Sequence, residues 1–205
     1  ASQFVGRFRG GMGHTNILTL TFFSGISGSA LADAAGPGAI MIRMMRDDGY
    51  APEYAAALTA ATSILGPIIP PSISVIVYAL AYPDVNLVGL LIAGTVPGIL
   101  IALAMAAINH VTSVRRNYRG APERLQWRDY VRNTWRALPA LVLPVLILGG
   151  IASGAFTPTE ASVVAVFYAL VVGRFVYGTL EWRMLPGILA RSALMTASVL
   201  IIVGM

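Results

Sequence analysis

The charged residues of this chain fall into short clusters, and long apolar stretches separate them. Between Gly10 and Ile42 the only ionisable groups are His14 and Asp33. Tyr54 to Pro83 and Val85 to Val114 carry no charged side chain. A helix that crosses a bilayer needs about 20 apolar residues, so each stretch is long enough to span. The first stretch is too long for a single span, and "SGISGS" (Ser24 to Ser29) interrupts it. The pattern predicts a helix from about Thr15, a break between Ser24 and Ser29, and a second helix from about Ala30. Together these would make a re-entrant hairpin.

The Tyr54–Pro83 stretch contains "GPIIPP", with Pro67, Pro70 and Pro71 close together. Proline lacks an N–H and clashes with the carbonyl four residues back, so this helix is predicted to break near its middle. Val85 to Val114 predicts another span, kinked at Pro97-Gly98, and Ala137 to Ile151 begins the next. In "TPTEA", Thr157 can cap a helix, Pro158 suits its first position, and Glu160 sits where a capping box needs it. Glu160 is therefore read as a cap rather than a ligand, and its helix should run to about Val176. A polar connector, Gly178 to Arg191, precedes a last apolar run, Ser192 to Met205. That run is shorter than the about 20 residues of a span, and the chain reads as an internal piece of a larger protein.

Composition agrees with this pattern. Of 205 residues, 57% are hydrophobic and 11% charged, and the mean hydropathy is +0.75. A soluble domain carries about 25% charged residues, so these values indicate an integral membrane protein. There is no cysteine, which excludes disulfides and thiolate metal sites. All 14 basic residues are arginine. They lie in the loops between apolar spans, so the pI near 10.0 reflects a membrane surface rather than a nucleic-acid partner. Seven of them fall in Arg115 to Arg136, among Trp127, Tyr130 and Trp135, which reads as an interfacial connector, partly an amphipathic helix. If Arg7, Arg9, Arg43 and Arg46 lie on one side, successive spans return every other arginine to that side. The loops around Asp84 to Asn86 and Ser153 to Glu160 then carry none. The positive-inside rule makes the arginine side cytoplasmic, and the hairpin would enter and leave from it.

The candidate chemistry lies in the two interruptions. Broken helices are tolerated at membrane depth where protein or water satisfies the freed backbone, and in transporters they expose carbonyls that bind Na+. Serine hydroxyls add uncharged oxygen ligands, and glycine permits close backbone approach. The alternative is that these small residues serve tight helix packing alone. Asp33 is the one carboxylate within an apolar stretch. It reads either as part of an ion or proton site or as a cap for the second hairpin helix. His14 and His110 lie near predicted membrane boundaries without partner histidines at ligand spacing, which favours interfacial roles. No G-x-x-x-x-G-K-[ST], G-x-S-x-G, metal triad or paired-carboxylate arrangement is present, which argues against an enzyme.

Through "FFSGISGSALADAAGPGAIMIRMMRDDGY", "AATSILGPIIPPSISVIVYA", "LIAGTVPGIL" and "GGIASGAFTPTEASVVAVFYAL", in this order along nearly the whole chain, the sequence resembles the large membrane subunit of tripartite ATP-independent periplasmic (TRAP) transporters. The resemblance implies an all-α, multi-span protein of the bacterial inner membrane, part of an inverted-repeat elevator fold with a re-entrant hairpin and a broken helix. It implies secondary transport coupled to a Na+ gradient, with no organic cofactor. The cargo would be an organic acid, such as a C4-dicarboxylate or sialic acid. The partners would be a small membrane subunit and a periplasmic solute-binding protein. Residues 1–111 would hold the hairpin, broken helix and following span of the first repeat. Residues 112–136 would be the arginine-rich cytoplasmic connector, and 137–205 the opening of the second repeat. The Na+ site would use Ser24 and Ser27 with the carbonyls of Gly66, Ile69 and Pro71. Gly28, Ser29, Asp33 and Pro70 would lie nearer the substrate or support the ion site from behind. A channel-like pore and a non-transporting scaffold are the competing readings.

Overall fold

The computed structural model describes residues 9–82, 84–118 and 127–204, and every regular element among them is helical. Arg7 and the middle of the arginine connector, 119–126, lie outside the described residues, as do the side chains of 127–134. The chain forms two compact units, residues 1–161 and 162–205.

Helix α1 (Gly11–Ser27) starts earlier than its pattern predicts, because Gly10 takes a left-handed conformation (φ 77°) and turns the chain into it. It also runs further. Ser24 stays helical, with its hydroxyl within 2.8 Å of the Leu20 carbonyl, so the break narrows to Gly28 and Ser29. Gly28 is left-handed (φ 61°), with its N–H on the Ser24 carbonyl, a conformation that favours glycine. Ser29 is extended and its hydroxyl caps the next helix by accepting the Ala32 N–H. That short helix, α2 (Ala30–Asp33), passes through a π-helical turn (Ala34–Gly38) into α3 (Ala39–Asp47).

Pro52 opens α4 (Pro52–Ser63). The chain then leaves the helix in successive turns, passes the cis Pro70-Pro71 bond, and re-enters it at α5 (Ile73–Ala81), which Ser72 caps. Ser72 also donates to the Pro67 carbonyl at 2.6 Å, so one side chain closes the break and starts the next helix. Asn86 caps α6 (Leu87–Arg115), which carries Pro97 inside it. Helix α7 (Trp127–Ala152) is continuous, so the last part of the predicted connector is the first part of this helix.

The predicted capping box is formed. The Thr157 N–H donates to the Glu160 carboxylate at 2.8 Å, and the Glu160 N–H donates back to the Thr157 hydroxyl at 3.3 Å. It opens α8 (Pro158–Val171), which ends in a π-helical turn, Val172–Val176. In the second unit a short 3-10 turn (Trp182–Met184) leads into α9 (Leu185–Gly204). This helix begins before the predicted Ser192, because Leu185 to Ala190 is apolar and Pro186 falls in its first turn, where its missing N–H costs nothing. Among the described residues, two segments are long and apolar enough to cross a membrane: Leu87–Arg115, with mean hydropathy 2.4, and Thr159–Val176, with 1.6.

In the first unit α1 packs on α4 and α6, and α3 packs on α4. Ile17, Met45, Tyr50, Ala55 and Leu58 form the apolar cluster between them. At the root of α1 a polar clasp fixes its register on α6. The buried Asn109 donates to the Gly10 carbonyl at 3.1 Å and accepts the Tyr54 hydroxyl at 3.1 Å. A Cβ on Gly13 would strike the Asn109 amide, and one on Gly10 would strike Ser113. The Gly13 N–H donates to the Tyr50 hydroxyl at 3.3 Å. Burial pushes the Tyr50 phenol above the ordinary tyrosine range, so it stays protonated. Tyr50 stacks on Tyr118, with ring centres 4.1 Å apart. We predict that Asn109→Ala lowers stability by about 1–3 kcal/mol, since it strips partners from buried polar groups. Gly13→Val should cost at least as much by overpacking. Thermal unfolding of the detergent-solubilised protein measures both.

Candidate functional site

The turn between α1 and α2 and the proline break between α4 and α5 meet in space. The Ile73 N–H reaches the Gly28 carbonyl at 3.4 Å. A Cβ on Gly28 would lie 2.5 Å from the Pro71 carbonyl oxygen, and one on Gly25 3.7 Å from that of Pro70. Gly66 is hemmed in by three neighbours at once. A Cβ there would sit 2.7 Å from the Ser29 carbonyl carbon, 2.8 Å from Asp33 Oδ2 and 2.9 Å from the Ala30 nitrogen. Real Cβ atoms do not approach backbone so closely, so this packing requires glycine. On its far side the break rests on α6. Gly94 admits the Ile68 carbonyl, which a Cβ would meet at 2.5 Å, and Gly98 admits the Ile69 side chain, at 2.6 Å. "GTVPG", predicted as a kink, therefore serves as a seat for the break. Its i, i+4 glycines were the available signal, as small residues one turn apart let backbones approach.

Asp33 lies at the centre, wholly buried. The Ser24 hydroxyl is 2.9 Å from its Oδ2, and the Ser27 hydroxyl bonds its Oδ1. The cap of α2 is Ser29, so the capping alternative for Asp33 gives way to a role in joining α1 to α2. Ser24 has a single hydroxyl hydrogen and two acceptors within reach, Asp33 and the Leu20 carbonyl at 2.8 Å. Ser27 also accepts the Ser29 N–H at 3.3 Å.

The residues singled out from the sequence thus gather in one place: Ser24, Ser27, Gly28, Ser29 and Asp33 from the turn, and Gly66, Pro70 and Pro71 from the break. Ile69 belongs to the same break, with its side chain turned into Gly98 and its N–H on the Leu65 carbonyl at 2.8 Å. Among the described residues, the carbonyl oxygens of Gly66, Ile69 and Pro71 accept no hydrogen bond. The polar atoms here are hydroxyl, carbonyl and carboxylate oxygens, a donor set for a hard cation. The described residues contain no group of three His, Asp or Glu side chains that could hold a metal.

The two histidines are neighbours in space. His14 on α1 and His110 on α6 are far apart in sequence, yet their rings lie 6.1 Å apart. They are partners for one another, which spacing along the chain cannot reveal.

A family model described as "Tripartite ATP-independent periplasmic transporter, DctM component" matches residues 1–205. The chain is 42% identical to the sialic acid TRAP transporter permease protein SiaT of Haemophilus influenzae, over 90% of this chain and 30% of that protein. It is 39% identical to the sialic acid TRAP transporter large permease protein SiaM of Vibrio cholerae, over 99% of this chain and 47% of that protein. It is 36% identical to the C4-dicarboxylate TRAP transporter large permease protein DctM of Pseudomonas aeruginosa, over 100% of this chain and 47% of that protein. The chain therefore spans less than half the length of these relatives. With its full length matched, the chain belongs to the DctM component family of the tripartite ATP-independent periplasmic transporters, a family of transporter permease subunits rather than enzymes.

Proposed function

We propose that this chain is the part of a TRAP large permease that carries one coupling-ion site and one wall of the substrate path. The protein would import an organic acid across the bacterial inner membrane, driven by a Na+ gradient. Sialic acid and C4-dicarboxylates, named for relatives, set the chemical class of cargo: small, hydrophilic and anionic. A periplasmic binding protein would deliver it, and a small membrane subunit would complete the permease. The α1–α2 turn would be the tip of a re-entrant hairpin, and α4 and α5 the halves of a broken helix.

One observation carries the reading. Gly66 lets the break close onto the Ser29–Asp33 turn while the Gly66, Ile69 and Pro71 carbonyls keep their lone pairs unused. Unused carbonyls at membrane depth are costly unless something else engages them. Na+ supplies a small hard charge that such oxygens can replace water around. Ser24 and Ser27 would complete the site. A hydroxyl that donates its hydrogen to Asp33 turns its lone pairs elsewhere, toward a cation. Asp33 thus orients both hydroxyls and adds a negative charge behind the site. Gly28, Ser29 and Pro70 form the surrounding backbone, on the side where the carboxylate of a substrate would lie. Packing of the hairpin, the break and α6 around Gly66, Gly94 and Gly98 supports movement of these elements as one body, as elevator transport needs.

Uptake of a radiolabelled acid into proteoliposomes, with the complete permease and its binding protein, tests this. Gly66→Ala should abolish or strongly weaken Na+-dependent uptake by forcing the break off the turn. Ser27→Ala should raise the Na+ concentration for half-maximal uptake, and Asp33→Asn should raise it about tenfold, the worth of one hydrogen bond to a charged group at ~1.5 kcal/mol. Unchanged Na+ dependence in Gly66→Ala and Ser27→Ala would overturn the ion assignment. Non-saturating conductance without the binding protein would favour a pore. Loss of stability alone, with Na+ dependence intact, would favour a scaffold.

A further inference from the structure

His14 and His110 play no part in the ion site described above. His14 follows Gly13 on α1, and His110 follows Asn109 on α6. The two preceding residues are the heart of the clasp, where Gly13 is pressed against the Asn109 amide. Asn109 holds the Gly10 carbonyl, and Ser113, one turn on, fills the space beside Gly10. The register and separation of the two helices are therefore fixed at the level of the histidines, by contacts that do not involve the histidines. His14 is half-buried and His110 exposed, so the pair opens to its surroundings on one side. The ring centres are 6.1 Å apart and the ring planes 35° from parallel. With a metal about 2.1 Å from one nitrogen of each imidazole, two ring centres sit about 5 Å apart at a tetrahedral angle and about 6.5 Å apart across a metal, so an inward shift of about 1 Å by the exposed His110 ring brings the pair to tetrahedral spacing.

We propose that His14 and His110 form a two-imidazole site for a borderline transition-metal dication such as Zn2+ or Ni2+, which cross-links α1 to α6. Imidazole nitrogen suits these metals and not Na+, Mg2+ or Ca2+, so the site is chemically distinct from the oxygen site at Asp33. Water fills the remaining coordination positions, more of them than in open zinc sites with three protein ligands. A scaffold held rigid by neighbouring contacts preorganises such a site. The metal stabilises whatever arrangement holds α1 and α6 in this register, because it binds that arrangement and not a separated one. The proposal stands independently of the Na+ assignment.

The test uses the complete permease without a polyhistidine tag, stripped with a chelator and then titrated with ZnCl2 or NiCl2. The expected result is a rise in apparent Tm of about 2 °C or more at saturation, absent with MgCl2. His110→Gln, a change at an exposed position, should abolish the shift, and His14→Gln likewise. His110→Cys should retain the Zn2+ shift, since a thiolate is also a zinc ligand. If His14→Gln fails to fold, the two His110 variants decide alone. No shift in the unaltered protein, or a full shift in His110→Gln, overturns the proposal.

Discussion

The rest of the structure turns on the burial of one carboxylate, Asp33, against the backbone of Gly66. A carboxylate removed from water is tolerated only when donors replace the lost hydration. Here the Ser24 and Ser27 hydroxyls do so, reaching across from α1 to α2. That arrangement dictates a tight reversal, which Gly28 makes by its left-handed conformation and Ser29 by capping the next helix. It also leaves no room for a side chain beneath Oδ2. The segment that covers Asp33 must therefore present bare backbone, which Gly66 does at the start of the proline break. The two interruptions are thus halves of one arrangement: each supplies what the other lacks.

Glycine plays two parts in holding this together, and Gly10 and Gly28 play both, since a Cβ on either would also collide. Gly28 and Gly10 are chosen for conformation, since each has positive φ. Gly66, Gly94, Gly98 and Gly13 are chosen for proximity, since a Cβ on any of them would collide with a neighbouring segment. The second part matters most where helices meet inside lipid. There, apolar surface gains little by leaving one hydrocarbon environment for another, and association depends on close packing and hydrogen bonds. The glycines on α6 bring the break within contact distance, and the glycines on α1 bring Asn109 within bonding distance of the Gly10 carbonyl. Buried hydroxyls are reconciled with this environment locally. Thr15, Thr21, Thr62 and Ser63 each donate to the carbonyl one turn earlier, so their hydrogens are satisfied while oxygen lone pairs remain.

Features governed by local chemistry were legible in the sequence. Proline and glycine act on their own backbone, so both breaks lie where "SGISGS" and "GPIIPP" put them, and the Thr157–Glu160 box closes within one turn. Element ends differ where a residue that can interrupt a helix fits into one instead. Ser24 stays inside α1 with its hydroxyl within reach of the Leu20 carbonyl, and Pro186 falls in the first turn of α9. Asp33 was visible as an anomaly, but its partner segment was not, because the Gly66 contact depends on how two elements dock. The histidine pair and the Asn109 clasp were invisible for the same reason. Each joins residues at opposite ends of a long stretch of chain, and no periodicity records that.

The same physics weighs the packing reading of these small residues against the ion reading. Tight packing accounts for Gly66, Gly94 and Gly98, because a continuous helix with glycines on one face would pack as closely. It does not account for Pro67, Pro70 and Pro71, which remove donors and stop the ladder, so the Gly66, Ile69 and Pro71 carbonyls accept no hydrogen bond among the described residues. Each such carbonyl costs on the order of a few kcal/mol in a dry apolar environment. A segment built only for packing would gain by becoming a regular helix. A segment whose carbonyls shed their own partners beside two oriented hydroxyls and a carboxylate makes physical sense if those oxygens serve another positive charge. That asymmetry, packing satisfied by glycine and the break unexplained by packing, is the ground on which a coupling cation is proposed there.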